Sequence, residues 1–158
     1  MRKLFGNLIV DEMDTNLNLR MITADLGFGV LDKCRTSHPT RFFNVGAAEQ
    51  LMIGVAIGMA ENNLIPVCYS ITPFLLYRPF EFLRNYVNYE QISVKLVGSG
   101  RDKDYHHDGI SHWAEDDEKI LNSLPNIKIY KPDTEEQLIK ILPEFLYSKT
   151  PAYLNLKR

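Results

Sequence analysis

Glu49 is the first residue to invite a chemical reading. In "RFFNVGAAEQLMIGVAIGMA" (41–60) it leads into a run, Leu51 to Ala60, that stays free of charge until Glu61. A helix apolar all round is normally buried. A carboxylate at its mouth must be paired, exposed at the helix end, or put to use. The plain reading is an acidic group favoured by the helix macrodipole. The chemical reading is a partly buried carboxyl that holds a proton and shares it with a ligand nitrogen, because burial favours the neutral form.

Two other stretches carry comparable signals. "YSITPFLLYRPF" (69–80) spaces Phe74, Tyr77 and Phe80 at i, i+3 and i+6, a one-sided aromatic stripe on a helix. Such a stripe is either core or a flat wall for a planar ligand. Arg78 beside it either neutralises an anionic group or sits on the surface. "DYHHDGISHW" (104–113) holds three of the four histidines. His106 and His107 are adjacent and do not readily face one ion, so no metal site is expected. An exposed polar loop and a functional loop both remain open readings.

The surrounding sequence must position these residues. "LRMITAD" (19–25) reads as a strand delivering Asp25 to a loop, and "TRFFNV" (40–45) as a second strand. A helix is expected over 47–62 and a strand over 64–71. Pro73 suits the first turn of a helix that runs on through 74–89, with a kink or break at Pro79. Further strands are expected at 92–99, 127–132 and 152–158. Short helices fall between them, "EDDEKILNSL" (115–124) and a longer one over 133–148 capped by Asp133. Strands alternating with helical crossovers indicate an α/β domain, a three-layer α/β/α sandwich with a mainly parallel sheet. Ligands of such sheets gather at the carboxyl ends of the strands. Asp25, 45–49, 70–74 and the loop 98–112 all lie just past such ends, so distant segments converge.

Composition narrows the class. The 158 residues fit one domain spanning 1–158, and the formal charge of −2 gives no basis for a nucleic-acid or anionic-membrane surface. Cys34 and Cys68 lie in no metal-like spacing and suit a reducing cytosol. "MRKLFGNLIVDEM" is broken by Gly6, Asn7 and Asp11, so no signal peptide is expected, and no run is long enough for a membrane span. The expected location is cytoplasmic.

In order and spacing, "RFFNVGAAEQ", "TADLG", "YSITPFLLYRPF" and "HHDGISHWAEDDEKILNSLPNIKIYKPDT" together resemble the pyrimidine-binding domain of transketolase-like thiamine diphosphate enzymes. The resemblance runs from about residue 20 to the end, and it implies specific roles. Glu49 would hydrogen-bond N1′ of the cofactor's aminopyrimidine and promote removal of the C2 proton, after which the cofactor acts as electron sink. Phe74 would stack on the pyrimidine, with Tyr77 and Asp25 also near the cofactor. Asp108 and His112 would touch substrate hydroxyls and help move protons, although "DGISH" departs from the usual "DGPTH". The "GDG…N" motif that holds the diphosphate and its magnesium in this superfamily is not found here. The resemblance therefore implies the pyrimidine-binding subunit of a split enzyme, with a separate subunit supplying magnesium and diphosphate. That assembly would be a homodimer or heterotetramer. The implied reaction transfers a two-carbon ketol or related acyl-anion unit between carbonyl compounds of the sugar class. A non-catalytic assembly or regulatory module retaining the fold is the alternative. A generic nucleotide-binding domain is disfavoured because no glycine-rich phosphate loop is present.

Overall fold

The computed structural model describes residues 1–158. Six parallel strands form its sheet: β1 (Leu19–Thr23), β2 (Phe42–Asn44), β3 (Ile65–Ile71), β4 (Lys95–Ser99), β5 (Lys128–Tyr130) and β6 (Ala152–Leu156), in the order β2-β1-β3-β4-β6-β5. Registers such as Tyr69 opposite Val97 and Val97 opposite Leu154 fix which side chains share a face. The central strands are buried on both faces, as a sheet covered twice requires.

One face is covered by α1 (Arg2–Thr15), α2 (Asp32–Ser37) and α7 (Glu135–Tyr147). Phe5, Ile9 and Met13 of α1 and Leu138, Leu142 and Phe145 of α7 pack there on Met21, Val67, Tyr69 and Leu154. The other face is covered by α3 (Glu49–Glu61), α4 (Thr72–Tyr77), α5 (Phe80–Phe82) with the π-helical turn Leu83–Tyr89, and α6 (Asp117–Leu121). Met52, Ile53, Leu75, Leu76 and Leu83 meet Ile22, Cys68, Leu96 and Tyr153 in this second core. The three-layer sandwich with a parallel sheet is borne out. No helix is long and apolar enough to cross a membrane.

The structure corrects several local expectations. Helix α1, not anticipated, is real, because Phe5, Ile9 and Met13 recur at four-residue spacing and are fully buried. Helix α2 is a six-residue helix anchored only by Cys34. The cap of α7 is Thr134, whose hydroxyl accepts from the Gln137 amide at 3.3 Å, and not Asp133. Asp133 instead pairs with Arg101 at 2.8 Å and Lys157 at 2.7 Å, and a charged long-range partner outweighs a local cap. Helix α3 is not buried all round within the chain: Met52, Ile53 and Ala56 face the core while Leu51 is 54% exposed. The break at Pro79 occurs as expected and puts Phe80 on a separate short helix, so the 74/77/80 stripe is not one surface.

Candidate active site at the carboxyl edge of the sheet

Because every strand is parallel, each following loop emerges on one edge. Past β2, Gly46 adopts φ 76° and its amide donates to the Asn44 side chain at 3.0 Å. This turn aims α3 so that Glu49 opens its first turn. The carboxylate is 2% exposed, and Nη1 of Arg78 donates to both its oxygens at 2.8 Å. The same guanidinium lies over the Phe74 ring, 3.8 Å from its centroid. His112 meets Phe74 edge-on at 4.8 Å, and its Nδ1 lies 2.9 Å from the Ser111 hydroxyl. Glu49, Phe74 and His112, 63 positions apart at the extremes, thus share a wall through Arg78.

The remaining residues expected at the site are placed differently. Asp108 lies on a 3₁₀ turn, His106–Asp108, of the same loop, with its side chain exposed. Asp25 sits past β1 in a left-handed conformation, φ 55°, with its carboxylate accepting from Asn44 Nδ2 at 3.3 Å. Tyr77 donates its hydroxyl to Asp116, and burial, then that carboxylate, pushes its pKa up. That contact commits the phenol to the α6 side. The rings of His106 and His107 lie 3.6 Å apart, tilted by 42°.

Four residues given no role from the sequence extend the wall. Tyr105 lies 6.1 Å from His112, and its hydroxyl lies 2.9 Å from Ser99 Oγ and accepts from Arg2 Nη1 at 2.8 Å. Arg158 lies 4.9 Å above the same ring. A cavity of about 200 Å³ opens here, lined by Arg2, Phe28, Tyr69, Ser99 and Tyr105 among others. Arg2 lines it and Arg158 lies over the Tyr105 ring, so positive charge on both sides of that tyrosine favours an anion. Only the approach of α1 and the end of β6 to the end of β4 brings Arg2 and Arg158 here, so spacing in the sequence could not reveal those two.

A buried polar junction holds the loop that carries His112. Arg101 donates through Nε to Asn155 Oδ1 at 2.7 Å, through Nη1 to Asp133 at 2.8 Å and through Nη2 to the Pro132 carbonyl at 3.0 Å. Asn155 Nδ2 donates to Tyr153 Oη at 2.8 Å and Asp117 Oδ2 at 3.2 Å. Tyr153 also donates to Asp117 at 3.0 Å, and burial, then the Asp117 charge, holds its phenol far above the usual range. Gly98 makes room for this junction: a Cβ there would lie 2.6 Å from Thr72 Oγ1 and 2.8 Å from Tyr153 Oη.

The whole chain, residues 1–158, matches the family model "Transketolase, pyrimidine binding domain". A relative described as a putative transketolase C-terminal section, from Methanocaldococcus jannaschii, is 31% identical over 100% of this chain and 50% of its own length. A 6-deoxy-6-sulfo-D-fructose transketolase subunit from a Clostridium species is 29% identical over 100% of this chain and 49% of its own. The solved structure described as "Split gene transketolase, inactive beta4 tetramer" superimposes with a TM-score of 0.86 at 30% identity, covering 99% of this chain and 51% of that one. The chain thus spans about half the length of these relatives. The matching family model and the shared fold agree: this chain belongs to the transketolase pyrimidine-binding domain family.

Proposed function

We propose that this domain supplies the pyrimidine-binding half of a transketolase-like, thiamine diphosphate-dependent enzyme that transfers a two-carbon ketol or related acyl-anion unit between carbonyl compounds of the sugar class. The carrying observation is Glu49, a carboxylate 2% exposed that faces a planar cation lying on Phe74. An aminopyrimidine needs a carboxyl for its ring nitrogen and a flat apolar wall for its face; Glu49 and Phe74 meet both requirements. When bound, the cofactor supplies an electron sink for a carbanion beside a carbonyl.

This chain's own residues account for the rest of the site. Glu49 holds and moves the proton at N1′, in a setting kept dry by Met52 and Ile53 behind it. Phe74 orients the ring. His112, edge-on to Phe74, stands where a substrate hydroxyl proton can be held, with Asp108 on the same loop. Arg2 and Arg158 around Tyr105 suit an anionic group at the far end of a sugar-like substrate. A diphosphate with Mg²⁺ needs a set of oxygen ligands, and no three acidic, His or Cys side chains converge in this structure. We therefore assign that half to another subunit or domain. The apolar outer face of α3, where Leu51 is exposed, is assigned to a neighbouring subunit in a homodimer or heterotetramer.

The test is Glu49→Gln in the complex reconstituted with its diphosphate-binding partner. C2–H exchange of bound thiamine diphosphate, read by NMR after acid quench, should slow by about 10²–10⁴, while assembly is retained. Exchange within about threefold of wild type would return Glu49 to the role of a helix-end carboxylate.

A further inference from the structure

We propose that Arg78 is an internal occupant of the pyrimidine seat, filling the slot between Glu49 and Phe74 in the unloaded chain and swinging out when an aminopyrimidine enters. This rests on the thiamine reading above and adds a step to it. The guanidinium satisfies the same two surfaces that the ring requires. It is planar and delocalised, its Cζ lies 3.8 Å from the Phe74 centroid, and one nitrogen faces both carboxylate oxygens at 2.8 Å. A ring nitrogen accepting from the Glu49 carboxyl while its plane rests on Phe74 would need that same space. The two cannot be seated together.

The surroundings suit a displaceable occupant. Glu49 is buried and has no other ionic partner, so an emptied seat would leave its charge uncompensated. Arg78 supplies that compensation, yet its side chain is 47% exposed and has solvent beside it. It sits at the carboxyl end of α4 with φ −64° and ψ −43°, directly before the break at Pro79. A change of side-chain rotamer alone therefore carries the guanidinium outward, with the backbone of α4 unmoved. A pair with one partner so exposed is screened by salt and modest in strength, which keeps the seat closed but available.

The test uses the full chain and 4-amino-5-hydroxymethyl-2-methylpyrimidine, the uncharged pyrimidine half of the cofactor, followed by ¹H–¹⁵N NMR. Arg78→Ala should bind this probe about two- to fivefold more tightly than wild type, the range set by a partly exposed ion pair. Raising salt from about 50 to about 500 mM should tighten binding to wild type and leave the variant unchanged. In wild type, the Arg78 guanidinium resonances should change from restrained to freely rotating as the probe is added. Arg78→Gln, which keeps bulk beside Phe74, guards against loss of fold in the alanine variant and should fall on the same side of wild type. Equal or weaker binding by both variants, or Arg78 resonances unmoved by the probe, overturns the proposal alone. No probe-induced shift at Glu49 or Phe74 in any of the proteins overturns the pyrimidine reading as well.

Discussion

Asn155→Ala should cost this domain about 3.5–4 kcal/mol and loosen the loop that carries His112. The side chain is fully buried at the end of β6 and joins four segments. Its Oδ1 accepts from Arg101 Nε at 2.7 Å, and its Nδ2 reaches Tyr153, Asp117, the Gly100 carbonyl at 3.3 Å and Thr72 Oγ1 at 3.4 Å. Truncation strips one partner from a guanidinium 7% exposed and one from a carboxylate 2% exposed. A hydrogen bond to a charged group contributes about 1.5–3 kcal/mol. Both ions keep other partners, Asp133 and Pro132 for Arg101, Tyr153 for Asp117, so the lower end applies to each. The lost bond to Tyr153 adds about 0.5–1 kcal/mol. Urea denaturation should show a lower midpoint with an unchanged slope. Hydrogen exchange should accelerate at the Ala114 amide, which donates to Asp102 O at 2.8 Å and closes the loop, and not at the amides of α1. A loss below about 1 kcal/mol, with exchange at Ala114 unchanged, would show that water or relaxation replaces Asn155 and that the junction does not hold the loop.

Two further outcomes follow from buried or capping groups. Burial pushes the Lys95 ammonium from 10.5 down to about 8, where it donates to the carbonyls of Ser148 at 2.7 Å and Thr150 at 2.6 Å. Below pH 8 folded and unfolded chains both hold the proton; between pH 8 and 10.5 only the unfolded chain does. Stability attributable to Lys95 therefore rises with pH across that window, by about 3 kcal/mol. The difference in urea stability between wild type and Lys95→Met, measured from pH 7 to 10.5, should grow accordingly. This comparison cancels the opposing tyrosines such as Tyr147, raised to about 12 by burial and then by Glu12, and a flat difference would refute the linkage. Thr134→Ala should cost about 1 kcal/mol and speed exchange in the first turn of α7, whereas Asp133→Ala should leave that turn protected; the reverse ranking would restore Asp133 as the cap.

Much of this molecule was legible because its signals are local. Apolar runs ending in polar loops marked all six strands, and Pro79 announced the break after α4. Glu49, Phe74 and His112 stood out through motifs whose order survives in the chain. What was not legible depended on distance. Helix α2 buries one residue and has no period to read. Asp133 and Thr134 are both good caps, and only the distant cations Arg101 and Lys157 decide between them. Arg2 and Tyr105 are separated by 103 residues and meet because α1 begins beside the end of β4. The partner of Glu49 was likewise hidden: Arg78 lies 29 positions on, and nothing in the spacing distinguished it from a surface arginine.

The strand order has a consequence for how the chain acquires its structure. β6 is last in sequence but lies inside the sheet, between β4 and β5. Until residues 152–156 arrive, β4 has an open flank and β5 has no neighbour. The pairing of β4 with β6 spans 57 positions, a long loop to close before any contact rewards it. A growing chain should therefore expose an unpaired β4 edge, Lys95–Ser99, until the final strand inserts. The same strand brings Asn155, so sheet closure and anchoring of the His112 loop become one late event.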